Sequence, residues 1–119
     1  MRVVRGRGAD PAADGEVTAR LLDEVGERRE PVVRVWAPHR IVAFGRRDAN
    51  EAGYETAASA ARERGFEPVT RSVGGRAVAY DGETTLAFAR ITPVEDVRGG
   101  LDARYEELTV DVQRALRRL

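Results

Sequence analysis

The stretch "TRSVGGRAVAYDG", residues 70–82, sets Arg71 and Arg76 on either side of the glycine pair Gly74–Gly75 and ends on Asp81–Gly82. These residue types can hold an oxyanion. A guanidinium presents a planar fork to phosphate or carboxylate oxygens. Glycine lets backbone N–H groups approach a ligand closely, because no Cβ intervenes. The same residues also fit a plain β-hairpin, with Gly74–Gly75 as the turn, Arg71 as a solvated strand end and Asp81 opening an Asp-Gly turn. Such a hairpin needs one glycine and no arginine, so it leaves the arginines unexplained.

Other chemistry-bearing residues are sparse. His39, the single histidine, lies in a Pro-His turn and reads as exposed and inert. Arg46–Arg47 read as surface charges and Trp36 as core. "RGRG" at residues 5–8 precedes a helix but lacks the lysine of a phosphate-binding loop and the spacing of a dinucleotide fingerprint. The chain has no cysteine, which excludes disulfides, thiolate metal sites and a cysteine nucleophile. Every basic residue is arginine, so no amine is available as nucleophile or Schiff-base former. No metal-ligand set is recognised. Twenty basic residues balance twenty acidic ones, which argues against a nucleic-acid binder. No apolar run approaches the roughly 18 residues of a membrane span, and no signal peptide is visible. The chain is therefore expected to be cytoplasmic, with no membrane or nucleic-acid partner.

These residues need a frame. The 119 residues suffice for one domain, and 42% hydrophobic against 34% charged residues is the balance of a soluble globular protein. "RVVR" reads as a strand. Residues 9–31 read as a helix capped by Asp10 or Asp14, with Pro11 in its first turn, Val17, Leu21 and Val25 on one face, and Pro31 as its stop. "VVRVW" (32–36) and "IVAFG" (41–45) read as strands, expected to pair as a hairpin across "APHR". A helix carrying Tyr54, Ala57, Ala58 and Ala61 on one face follows, closed by Gly65. Residues 67–71, 76–80 and 84–91 are expected to form a three-stranded meander around "SVGG" and "DGE". The chain ends in a helix whose apolar stripe is Leu101, Tyr105, Leu108, Val112, Ala115 and Leu119.

"TRSVGGRAVAYD" resembles the signature of lipoate–protein ligases: a basic pair, two residues, a glycine triplet, Ala-Val, an aromatic or apolar residue, then His-Asp. Arg71, Gly74, Gly75, Ala77, Val78 and Asp81 match it in place. "VRVWAPHRIVAFGRRDAN", "TTLAFA" and the final helix resemble the family's surrounding elements, so the likeness covers about residues 32–119. It implies an α+β fold, a mixed or antiparallel sheet with packed helices, like the N-terminal half of a biotin/lipoate ligase catalytic domain. Residues 1–119 would be a partial domain, without the family's lysine-bearing segment or its C-terminal accessory domain.

The resemblance also implies a reaction. ATP, with Mg²⁺, and lipoate would form a lipoyl-adenylate, which then acylates a lysine of an acceptor lipoyl domain of a 2-oxoacid dehydrogenase or glycine cleavage protein. Arg71, Gly74, Gly75 and Arg76 would line the adenylate pocket, with Val78 and Trp36 as apolar neighbours and Asp81 as a further binding residue. Three positions depart from the signature: Thr70 stands for the first basic residue, Arg76 for the third glycine and Tyr80 for the histidine. The family's essential lysine lies downstream of the last helix, and this chain has none, so it is expected to be inactive alone. The alternatives are an octanoyl or lipoyl transferase of the same fold, which takes its acyl group from a carrier protein, and a non-catalytic subunit or binding module of a two-chain ligase. In the last case a second chain supplies the missing half. Lipoate, octanoate and biotin are not distinguished by these residues.

Overall fold

The structure is a computed structural model and describes residues 1–72 and 74–119. Val73, part of the expected "SVGG" turn, lies outside the described residues.

The fold is α+β, with two small mixed sheets and three α-helices among the described residues. Strand β1 (Arg2–Arg5) leads into α1 (Pro11–Arg28), whose N-cap Asp10 accepts the Ala13 N–H at 2.8 Å. The chain then returns as β2 (Val32–Trp36), parallel to β1. This β1–α1–β2 crossover buries Leu21 and Val25 against Val32, with Val4, Val17 and Ile91 packed around them. The helical spacing of the sequence therefore sets this first core.

Strand β3 (Ile41–Phe44), α2 (Tyr54–Glu63) and β4 (Glu67–Thr70) repeat the crossover in the second sheet, with β3 parallel to β4. Ala58 and Ala61 are buried, whereas Ala57 faces solvent. The ring of Tyr54 meets that of Phe44 edge-on at 5.1 Å between centroids. Gly65, at φ 77°, closes the helix, and Phe66 N–H donates back to the Ala61 carbonyl. Residues 46–53 are not α-helical; they hold only a 3-10 turn at Asp48–Asn50.

Strand pairing differs from the expectation in two places. Strands β2 and β3 do not form a hairpin. They are the central strands of different sheets, ordered β1-β2-β6 and β4-β3-β5, where β5 is Val78–Tyr80 and β6 is Ala87–Ile91. Each is paired on both of its edges, β2 by β1 and β6 and β3 by β4 and β5, which leaves no edge for the expected hairpin across "APHR". The linker instead carries the chain from one sheet to the other over a buried Pro38. The meander is likewise absent. Strands β4 and β5 flank β3 on opposite sides, and β6 pairs with β2. The Asp81 turn breaks the expected β5–β6 hairpin: its carboxylate accepts the N–H groups of Glu83 and Thr84 and the Thr84 hydroxyl, each at 3.0 Å.

The final helix α3 (Leu101–Leu116) is fastened to the body by Arg90 of β6, which pairs with Glu107 at 3.1 Å and Asp111 at 2.9 Å. None of its residues is buried, although its stripe reads as a core face.

Candidate functional site: the arginine–glycine crossing

The topology explains where the arginine–glycine motif lies. Strand β4 runs parallel to β3 and ends beside it, with Thr70 opposite Phe44, while β5 runs back from Val78 opposite Ala43. The chain must therefore cross the C-terminal end of β3 to pass from one of its edges to the other, and the described residues of that crossing are 71–72 and 74–77. The crossing is very close. A Cβ on Gly45 would lie 2.0 Å from the Gly75 carbonyl oxygen, so only glycine can sit under it. Sequence reasoning passes over Gly45. Its sequence sign is its place directly after the apolar run "IVAF".

Arg71 fixes the crossing from both ends. Its backbone N–H donates to the Phe44 carbonyl at 2.8 Å, and its Nη2 donates to the Arg76 carbonyl. The guanidinium folds over Gly75, where a Cβ would come within 3.2 Å of Nη2. Gly75 holds φ at 103°, a conformation that side-chain-bearing residues rarely adopt. Arg71 Nε is buried without a hydrogen-bond partner among the described residues. Such a donor is costly to leave unmade and is satisfied when an acceptor arrives. Gly74 is exposed, and a Cβ added to it would meet nothing within 4 Å. The two glycines thus do different things: Gly75 permits the fold of the loop, and Gly74 leaves backbone open on the outside.

The other expected site residues are dispersed. Val78 is 47% exposed on β5, next to the crossing in sequence and in its sheet. The Arg76 side chain is exposed. Trp36 lies in the other sheet, where the Arg34 guanidinium stacks on its ring at 4.0 Å. Asp81 sits at the far end of β5, and its hydrogen bonds from Thr84 and Glu83 hold its carboxyl below the usual aspartate range. At that far end Gly6, Arg7, Pro38, Arg40, Asp81 and Glu83 line part of an open cleft of about 510 Å³. "RGRG" serves structure there: Gly8 N–H donates to the Asp14 carboxylate at 2.9 Å, and His39 Nε2 donates to the Gly8 carbonyl at 2.8 Å. His39 is therefore half-buried and bonded, not free in a turn.

Arg34 itself is 1% exposed. It pairs with the Asp14 carboxylate and donates to Thr18 Oγ1 at 2.7 Å. This buried charge stands on the same strand face as Val32 and ties β2 to α1.

Residues 10–119 match the lipoyl protein ligase A/B catalytic domain family. The chain belongs to that family. It is 34% identical over 83 residues to the octanoyl-[GcvH]:protein N-octanoyltransferase of Anoxybacillus flavithermus, a match that takes in 69% of this chain and 29% of the relative. Its fold is similar to that of P. falciparum LipL1, solved in complex with lipoate, with a TM-score of 0.56 and 16% identity over 83% of this chain and 32% of that one. This family domain thus spans about a third of the length of these relatives.

Proposed function

We propose that the chain supplies the acyl-adenylate-binding part of a lipoate–protein ligase, with the crossing at Arg71–Arg76 as its anion site. The observation that carries this reading is the guanidinium of Arg71, clamped over Gly75 with a buried, unpartnered Nε, beside the open backbone of Gly74. A phosphate oxygen of an adenylate fits that donor set, because guanidinium and backbone N–H groups are strong oxyanion donors. ATP would supply the nucleotide and bring Mg²⁺ on its phosphates. Among the described residues, no group of three His, Cys, Asp or Glu side chains is placed to hold a metal.

In this reading lipoate or octanoate lies along the exposed apolar side of Val78, and the acceptor is a lipoyl carrier of the glycine cleavage or 2-oxoacid dehydrogenase type. The reacting lysine comes from outside these 119 residues, on a second chain or on further sequence, so this part alone binds and does not turn over. The second reading is acyl transfer from a carrier protein, the kind of reaction named for the octanoyltransferase relative. ATP dependence of product formation separates the two.

The direct test is calorimetric binding of a non-hydrolysable lipoyl-adenylate, with a sulfamate in place of the phosphate, to wild type and to Arg71→Ala. Loss of a charged hydrogen bond worth about 1.5–3 kcal/mol weakens binding roughly 10- to 150-fold. Equal affinity of the two proteins, both folded by circular dichroism, refutes the assignment of Arg71.

A further inference from the structure

Arg46 and Arg47 follow Gly45 directly, in a turn closed by the Ala49 N–H on the Gly45 carbonyl at 3.1 Å, and both side chains are exposed. Gly45 is the residue beneath the Gly75 carbonyl, and the Phe44 carbonyl just before it takes the Arg71 N–H. Two backbone contacts therefore bring Arg46, Arg47, Arg71 and Arg76 to one end of β3. With consecutive Cα atoms about 3.8 Å apart, those of Arg46, Arg47 and Arg76 lie within about 8 Å of Gly45 or Gly75. The Arg71 guanidinium lies against Gly75 itself.

Among the described residues, none of these arginines is in an ion pair. Asp48 follows Arg47 in the 3-10 turn and pairs with neither neighbour. Glu67 and Asp81, the acids nearest in sequence to Arg71 and Arg76, lie at the other end of β3, beside Ile41. Like charges gathered in this way repel one another, and a polyanion relieves the repulsion.

We propose that Arg46, Arg47 and Arg76 form a diphosphate subsite beside the Arg71 anion site, holding the β- and γ-phosphates of a nucleoside triphosphate. The proposal rests on the acyl-adenylate reading and deepens it. In that reaction a carboxylate oxygen of the acyl substrate bonds to the α-phosphorus. The bond from that phosphorus to the bridging oxygen breaks, and its electron pair leaves on diphosphate. Arg71 holds the phosphate that stays, and the three exposed arginines hold the part that leaves. Charge density favours this occupant. A diphosphate concentrates its charge on two adjacent phosphorus centres, matching guanidinium groups clustered around one backbone contact, whereas the carboxylates of a protein surface are single charges on separate side chains. Planar guanidinium forks also suit phosphate oxygens. Acyl transfer from a carrier protein releases no diphosphate and has no use for such a subsite.

Calorimetric titration with inorganic pyrophosphate at low salt, where exposed charges are least screened, tests the subsite. Wild type should bind it, and the Arg46→Gln/Arg47→Gln double variant should bind it about 10-fold more weakly or worse, the scale of a lost charged hydrogen bond. Arg20→Gln, an exposed arginine of α1 beside the other sheet, should leave the affinity unchanged. The lipoyl-adenylate analogue, which carries no diphosphate, should bind the double variant as tightly as wild type. Circular dichroism confirms that all the variants are folded. If wild type binds the analogue but not pyrophosphate, the subsite is overturned and the acyl-adenylate reading stands. If it binds neither, both fall. Equal pyrophosphate affinity in wild type and the double variant also overturns the subsite, and leaves Arg46 and Arg47 to another anion, such as the acidic surface of a carrier protein.

Discussion

Gly45→Ala puts the crossing to its sharpest test. The added Cβ would stand 2.0 Å from the Gly75 carbonyl oxygen, 3.1 Å from its carbon and 3.4 Å from the Gly74 carbon. An ordinary carbon–oxygen contact is about 3.3 Å or more, so the loop must lift by roughly 1.3 Å or β3 must bend. The obstacle is backbone on both sides, and no flexible side-chain end can swing away. Overpacking of this kind costs about 1–3 kcal/mol. At roughly 4 °C per kcal/mol for a domain of this size, Tm falls by about 4–12 °C.

Binding of the lipoyl-adenylate analogue should fall with it, because lifting Gly75 pulls the Arg76 carbonyl away from Arg71. Gly74→Ala is the matched control. Nothing stands within 4 Å of its Cβ position, so Tm should hold to within about 2 °C, the scale of a surface substitution of roughly 0.5 kcal/mol. The same methyl occupies the open side, so binding is expected to weaken without any loss of Tm. The assay is thermal unfolding of both variants with calorimetry of the analogue. A Gly45→Ala Tm within about 2 °C of wild type would show that the crossing does not touch β3, and the account of the motif's placement would fail with it.

Elsewhere in the molecule, Asp14→Ala strands the Arg34 charge in a buried position and should cost about 3–5 kcal/mol, read as a lower urea midpoint at unchanged slope; adding Arg34→Met should restore most of that loss. Asp81 has its carboxyl held below the ordinary aspartate value by Thr84 and Glu83, so its contribution is complete above about pH 4 and lost as pH falls through the folded value. The stability gap between wild type and Asp81→Ala should therefore be wider at pH 6 than at pH 2, and an equal gap at both would contradict the turn hydrogen bonds. Asp10→Ala removes the cap on the Ala13 N–H and should cost about 1 kcal/mol with some loss of helicity at 222 nm.

Local signals in the sequence are legible where one residue decides the outcome. Asp10, Pro11 and the Leu21–Val25 spacing place α1, and Gly65 ends α2. Strand pairing is not legible in the same way, because "IVAF" and "VVRVW" are short apolar runs that fit the centre of a sheet as well as one arm of a hairpin. Nothing local states that β3 has a parallel neighbour across α2. Arg34 escapes notice for a related reason. In an alternating strand its position is inward, and the carboxylate that makes an inward arginine tolerable, Asp14, is on another element. Within the motif, Arg71 and both glycines stand out by type. Their division of labour depends on Gly45, about thirty residues away, and no spacing rule connects the two.

The distribution of burial gives the site a thermodynamic character of its own. The first sheet is braced by the Leu21–Val25–Val32 cluster and the buried Arg34 pair. Among the described residues the crossing has no comparable core: Gly74, Gly75, Arg76 and Val78 are all exposed. Its order rests on the Arg71 N–H bond to Phe44, the guanidinium bond to Arg76 and the contact of Gly75 with Gly45. A loop whose described residues are mostly exposed opens at less cost than the domain unfolds. A ligand that fills the Arg71 Nε therefore does two things at once, satisfying a buried donor and adding a tie across the loop. Saturating analogue at about 100 times its Kd should raise the stability of wild type by about 2.7 kcal/mol. Hydrogen exchange should slow first at the amides of Arg71, Ser72 and Gly74 to Val78. A rise in Tm with no protection in that segment would mean that the analogue binds elsewhere, and the open cleft beside Arg7 and Arg40 would be the place to look.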